Sequence, residues 1–225
     1  MTTLKSIIAI DGPAGSGKGT VAKIIAKKMG LLYVDTGAIY RALALKAKRS
    51  GISPENNEAI IALAKSSKIE SFYDLTSGHL KVMLDNEDVS EQIRMPDITR
   101  HVAEISKIKE IREIMVEIQR KLVKDKKAIL EGRDITTIVF PDAYKKFYLD
   151  ADQKERVHRR YIELRSKNIA VNEVDIEEDI KLRDSTDAKR EFGPLRRSPD
   201  AIYIDTTHMT IDEVVNRLTE EINKV

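Results

Sequence analysis

Five short apolar runs punctuate the chain: Ser6–Ile10, Leu31–Val34, Ala128–Leu130, Lys146–Leu149 and Ala201–Ile204. Each ends in a polar or glycine-bearing turn. After at least four of them comes a stretch in which apolar residues recur every three or four positions. Runs this short, separated by helices, predict a parallel sheet covered on both faces. The last helix has the clearest pattern. Thr210 and Glu213 stand as a capping box, and Ile211, Val214, Val215, Leu218 and Ile222 repeat at helical spacing. Asp152 and Glu155 mark a similar start for a helix reaching about Ser166.

The pattern changes between Lys68 and Lys121. FYDLTSGHLKVMLDNEDV reads as short strands joined by turns at Ser77-Gly78 and Asp85-Asn86. A long charged helix is expected next, with Val102, Ile105, Ile108, Ile111, Met115, Ile118 and Leu122 on one side. This region reads as an insertion into an α/β core. From Asn172 to Ser198 charge dominates, and the stretch closes with Gly193-Pro194 and Ser198-Pro199. It reads as a mobile surface excursion before the final strand, with the acidic run from Glu173 to Asp179 as a solvated helix start.

Composition narrows the function classes. The 225 residues can bury a real core, and 39 Lys+Arg against 37 Asp+Glu leave a formal net charge of +2. So even a balance gives no global attraction to nucleic acid or membrane. The absence of cysteine excludes disulfides and thiolate zinc sites and fits a reducing compartment. No apolar run is long enough to span a bilayer, and Asp11 interrupts the apolar start of MTTLKSIIAID too early for a secretory leader. His79, His101, His158 and His208 are scattered without metal-ligand spacing. A cytoplasmic enzyme is expected.

The chemistry is concentrated first in DGPAGSGKGT. Gly12, Gly15, Gly17 and Gly19 crowd around Lys18, between the run ending at Ile10 and an amphipathic stretch carrying Val21, Ile24, Ile25 and Met29. Gly12 to Lys18 spells G-x-x-x-x-G-K in the strand–loop–helix context that a phosphate-binding loop needs. Glycines let successive N–H groups point inward at a phosphate, the helix N-terminus adds partial positive charge, and Lys18 adds a full one. The alternative is a turn that holds nothing, and the agreement of loop, lysine, strand and helix counts against it. The residue after Lys18 is Gly19, so the hydroxyl comes one place late, at Thr20. Thr20 is expected to bond a phosphate, leaving Mg²⁺ to phosphates and waters. A second cluster stands at strand ends: Asp35, Thr36, Gly37 and Arg41 in LLYVDTGAIYRAL, and Gly132, Arg133 and Asp134 in AILEGRDITTIVFP. Ligands in open parallel sheets bind beyond the carboxyl ends of strands.

Together, IDGPAGSGKGT, DTGAIYR, DVSEQIR, LEGRDITTIVFPDA, ERVHRR and RDSTDAKREFGPL resemble the bacterial cytidylate kinases (CMP/dCMP kinases), nearly end to end from Ile7 to the last helix. The resemblance implies a P-loop NTPase-type α/β fold with a five-stranded parallel sheet flanked by helices. The core would comprise residues 1–67, 125–152 and 199–225, with an inserted NMP-binding domain at 68–124 and a mobile lid at 153–198. It implies transfer of the γ-phosphoryl group of ATP to CMP or dCMP with Mg²⁺, by a monomer that binds neither nucleic acid nor membrane. Gly12, Pro13, Ala14, Gly15, Ser16, Gly17, Lys18, Gly19 and Thr20 would hold ATP. Thr36, Arg41, Arg112, Arg133, Asp134, Arg183, Asp187 and Arg190 would surround the monophosphate. Lys18, Arg183 and Arg190 would be catalytic. Ala103 stands where the resemblance expects a serine at the base, so one polar contact to the base would be missing, or Ser106 or a water would replace it.

Residue chemistry agrees. A carboxylate accepts from the exocyclic amine of cytosine and repels the carbonyl of uracil, which suits Asp134; Arg112 can donate to the adjacent ring nitrogen and carbonyl. Arg183, Asp187 and Arg190 are four and three residues apart, so a helix would put them on one face. Without the resemblance, Arg112 would read as an exposed arginine on a charged helix. The lid arginines are expected to act in closure and transfer rather than in fold stability. A regulatory GTPase would need an N-K-x-D motif, which is absent. Other small-molecule P-loop kinases do not explain the insertion or Asp134 behind Arg133. A nucleic-acid ATPase would want stacking aromatics, and the chain has 4 Phe, 7 Tyr and no Trp.

Overall fold

The computed structural model describes residues 6–74, 79–166 and 169–224. Five parallel strands form the central sheet: β1 (Ile7–Asp11), β2 (Leu32–Asp35), β6 (Ala128–Gly132), β7 (Lys145–Asp150) and β8 (Ile202–Asp205), in the order β2-β6-β1-β7-β8. β1 is buried along its whole length, as Ile-Ile-Ala-Ile at the centre of a doubly covered sheet requires. It pairs with β6 in the register Ile7↔Ala128 and with β7 in the register Ile8↔Lys145. Helices α1 (Lys18–Met29), α2 (Thr36–Arg49), α3 (Asn57–Ser66) and α8 (Ile211–Asn223) belong to this core. The capping box of α8 is formed: the Glu213 N–H donates to Thr210 Oγ1 at 3.3 Å, and the Thr210 N–H to Glu213 Oε2 at 2.8 Å.

The chain crosses from β6 to β7 with one π-helical turn, Ile135–Val139. Asp11, at the end of the strand being crossed, holds that turn. Its Oδ1 accepts from Ile135 N at 2.9 Å, and its Oδ2 accepts from Thr136 N at 2.7 Å and Thr136 Oγ1 at 2.6 Å. Burial pushes the Asp11 carboxyl up to about 6, outweighing the three hydrogen bonds that favour its ionised form.

The insertion contains an antiparallel sheet of β3 (Ile69–Asp74), β4 (His79–Leu84) and β5 (Glu87–Asp88). Asp85 and Asn86 make the expected turn with φ of 50° and 72°; the expected Ser77-Gly78 turn lies outside the described residues. Ile69, Leu80, Val82 and Leu84 join the same apolar cluster as the central strands, so the insertion shares the main core. The single long helix expected next is two helices, α4 (Pro96–Ile105) and α5 (Lys109–Leu122). Ser106 caps the first through a hydrogen bond from Oγ to Ala103 O at 3.3 Å, and Ile108 is extended, with φ −74° and ψ 118°. Ile105 and Ile111 are buried on either side of the break, so the apolar repeat runs through it unbroken.

The charged excursion is largely a 17-residue helix, α7 (Glu173–Lys189), packed on α6 (Gln153–Ser166). Asn172 caps it, with Oδ1 accepting from Asp175 N at 2.8 Å, and Glu173, Asp175, Glu178 and Asp179 are exposed as expected. Ile176 and Ile180 meet Val157 in a small apolar cluster of their own. At the start of α6, Glu155 reaches forward to Arg159 Nε at 2.8 Å instead of back to residue 152.

Replacing Asp11 with Ala strands two buried N–H donors, each costing about 1–3 kcal/mol. Thermal unfolding of Asp11→Ala should show the largest loss, with Asp11→Asn intermediate. The folded-state value of about 6 lies above the ordinary 3.8. The stabilisation linked to the protonated carboxyl is therefore fully present below about 4 and lost as the pH rises to about 6. The wild-type advantage over Asp11→Asn should narrow across that window. An advantage that widens would show that hydrogen bonding outweighs burial at this carboxyl.

Candidate active site

The glycine loop fits between β7 and α6. A Cβ on Gly12 would collide with the Leu149 carbonyl oxygen, and one on Gly15 would lie 2.9 Å from the Arg156 carbonyl oxygen. Gly17, at φ 85°, opens α1 without a side-chain cap, so the first N–H groups of the helix are left for another acceptor. Lys18 folds back into the loop. Its Nζ donates to Pro13 O at 2.6 Å and Ser16 Oγ at 3.2 Å, and only 4% of the residue is exposed. Burial, with repulsion from Arg133, lowers the Lys18 ammonium to about 7, while Glu131 and Asp11 pull the other way. Thr20 is exposed on the first turn of α1.

Two arginines that sequence reasoning did not place in the site brace this loop from α6. Arg156 Nη1 donates to Ala14 O at 3.1 Å and to Asp184 Oδ2 at 2.6 Å, and Arg156 Nε donates to Ala151 O at 3.0 Å. Arg159 grips Thr206 through its hydroxyl at 3.0 Å and its carbonyl at 2.6 Å; Thr206 Oγ1 in turn donates to Ser16 O at 3.3 Å. ERVHRR was part of the resemblance, but charge alone does not tell a brace from a solvated helix face. Asp184 Oδ1 is buried without a hydrogen-bond partner.

The second cluster also assembles. Asp187 bridges two arginines, with Oδ2 taking Arg133 Nε at 2.7 Å and Oδ1 taking Arg190 Nη2 at 2.5 Å. Burial works to raise its carboxyl, but Arg133 and Arg190 hold it below the usual carboxylate range. Arg190 Nη2 also donates to Ser106 Oγ at 2.9 Å. Arg112 is 1% exposed, not solvated as its helix alone would suggest, and its Nη2 lies 2.5 Å from Asp134 Oδ2. The break between α4 and α5 puts Ser106 here, its carbonyl accepting from Arg112 Nη1 at 3.4 Å. Thr36 Oγ1 donates to Glu131 O at 2.8 Å, and Arg41 Nη1 donates to Thr99 Oγ1 at 2.9 Å and Ile93 O at 3.2 Å. Burial, with Arg133 and Arg41 nearby, lowers Arg183 to about 10. Lys18, Arg41, Arg133 and Arg183 thus crowd one volume, and a polyanion is the natural relief of their repulsion. Among the described residues, no group of three or more His, Asp or Glu side chains could hold a metal ion directly.

Residues 8–224 match the family model described as cytidylate kinase. The cytidylate kinase of Caldanaerobacter subterraneus subsp. tengcongensis is 48% identical over 100% of this chain and 97% of its own. That of Clostridioides difficile is 46% identical over 96% of this chain and 98% of its own. The crystal structure of an uncharacterized protein from Eubacterium ventriosum shares the fold, with a TM-score of 0.52 and 14% identity over 97% of this chain and 99% of that one. With both clusters in place and a match running nearly end to end, the chain belongs to the cytidylate kinase family.

Proposed function

We propose that this protein transfers the γ-phosphoryl group of ATP to CMP or dCMP, giving ADP and CDP or dCDP. The observation that carries the reading is the adjacency of a phosphate-binding loop holding a buried lysine and a buried Arg112–Asp134 pair at the end of β6. In this reading Gly12, Pro13, Ala14, Gly15, Ser16, Gly17, Lys18, Gly19 and Thr20 hold the ATP phosphates through loop and helix N–H groups. Lys18 leaves Pro13 O for the transferring group. Arg41, Arg133 and Arg183 surround the acceptor phosphate, with Thr36 beside it. The acceptor is already an anion, so no catalytic base is required, and positioning plus charge neutralisation carries the rate.

Arg190 joins Arg183 over the transferring phosphoryl, Asp187 holds one of them or a ribose hydroxyl, and Ser106 or a water replaces the hydroxyl absent at Ala103. Asp134 accepts the cytosine amine while Arg112 keeps its other oxygen, and Arg112 donates to the ring. Mg²⁺ would be held mainly by the phosphates and water, with the orphaned Asp184 Oδ1 an acceptor suited to its hydration shell. When bound, the ion neutralises charge on the phosphate oxygens. Residues 68–124 serve as the monophosphate-binding region and 153–198 as the lid. In support of a lid, α6 and α7 share a small apolar cluster of their own and are tied to each other by the Arg156–Asp184 ion pair, while α7 meets the core through Arg133–Asp187.

Three variants and one pH titration test this. Lys18→Ala should lower kcat by orders of magnitude in a folded protein. Because the free ammonium sits near 7 and a phosphate favours its charged form, wild-type affinity for a non-hydrolysable ATP analogue should fall as pH rises above about 7, with proton uptake in calorimetry. Near wild-type turnover in Lys18→Ala would end the reading.

Arg190→Ala should cut activity strongly. Beyond the expected role in transfer, the Arg190 side chain ties Asp187 to Ser106. The variant should also lower the melting temperature of the free protein. An unchanged melting temperature would mean that these bonds form only in the closed state.

Asp134→Asn should reduce kcat/KM with CMP far more than with UMP, narrowing a preference of roughly ten- to a few-hundred-fold. An equal loss with both substrates would remove Asp134 from base selection.

A further inference from the structure

Arg112 heads the large side chains excluded from solvent, yet its hydrogen bonding is incomplete. Nη2 is paired with Asp134 and lies 3.4 Å from Gly193 O; Nη1 has only the long contact with Ser106 O; Nε is buried with no hydrogen-bond partner. What accompanies the guanidinium is a ring. Its carbon lies 5.5 Å from the centroid of Tyr40, which is buried on α2 immediately before Arg41. The Gly193 backbone packs against the same nitrogens closely enough that an added Cβ would lie 2.8 Å from Nη2 and 3.0 Å from Nε. Burial pushes the Tyr40 hydroxyl up to about 12, so Tyr40 is neutral at working pH and offers a ring face rather than a charge.

We propose that Tyr40 is a positioning residue for base selection: its ring face fixes the plane of the Arg112 guanidinium, and so the direction in which Arg112 donates to the pyrimidine. The proposal rests on the reading that Arg112 and Asp134 meet the base. A cation held over an aromatic face in a desolvated site is strongly oriented. Cytosine presents an acceptor at its ring nitrogen where uracil presents an N–H, so the direction of the Arg112 donors discriminates the two. A guanidinium free to tilt would still neutralise charge but would discriminate less. Tyr40 acts through Arg112, and a purely space-filling role would be met equally well by an aliphatic side chain of similar bulk.

The test compares the ratio of kcat/KM for CMP to that for UMP in wild type, Tyr40→Phe, Tyr40→Leu and Asp134→Asn. Taking both substrates on one preparation cancels any difference in folded fraction. Tyr40→Leu should lower the ratio about tenfold, mainly through a higher KM for CMP, while KM for ATP stays near wild type. Tyr40→Phe keeps the ring face and should stay within about twofold of wild type. A Tyr40→Leu ratio equal to wild type would overturn the proposal, and so would an equal loss in Tyr40→Phe, which would assign the effect to the hydroxyl. If Asp134→Asn narrows the preference and Tyr40→Leu does not, only the role of Tyr40 falls. If wild type shows no preference for CMP, the functional reading falls first and takes this proposal with it.

Discussion

The carboxylate of Asp187 sits between two guanidinium groups, one following strand β6 and one following helix α7, and the arrangement of the cleft depends on it. Arg133, Arg183, Arg41 and Lys18 converge where four cations repel one another. In water such a cluster would spread apart; here the strands, the loop and α7 fix the positions, and one buried carboxylate offsets part of the repulsion. Asp187 also ties the segment after α7 back onto that helix, since Leu195 N donates to its carbonyl at 2.8 Å. The last turn of α7 and the segment after it are thus held over the cleft by the same residue that organises its charges.

The central sheet was legible because buried parallel strands leave short apolar runs, and the observed bounds of β1, β2, β6, β7 and β8 differ from those runs by one or two residues. The phosphate loop was legible because its chemistry is local. The break after α4 was not, since Val102, Ile105, Ile108 and Ile111 keep helical spacing across it while the chain turns at Ser106. That break is what brings the Ser106 carbonyl and hydroxyl to Arg112 and Arg190. The full length of helix α7, beyond its acidic start, was hidden for a different reason: Ile176 and Ile180 anchor it among many charges, too few for an amphipathic pattern to stand out.

Of the site residues, Arg133 and Asp134 follow directly from a strand end, and Arg112 came from the resemblance alone. Its burial comes from a partner 22 positions away, a separation that no local pattern encodes. Arg156 and Arg159 were missed because a brace and a solvated arginine have the same letters. Asp11 was missed because it read only as the residue that interrupts an apolar run; its work is done on a turn 124 and 125 residues later.

The place of β1 has a consequence for how the chain is made. As the first strand it leaves the ribosome early, yet both of its neighbours, β6 and β7, begin only at Ala128 and Lys145. Until then Ile7, Ile8 and Ile10 have no sheet to join, and both edges of the strand are open. Pairings of such sequence separation are slow to form, and apolar strands waiting for them are prone to associate with other chains. Nascent β1 is therefore the segment most in need of shelter by a holding chaperone, and the compact crossover from β6 to β7 delivers its second neighbour soon after the first.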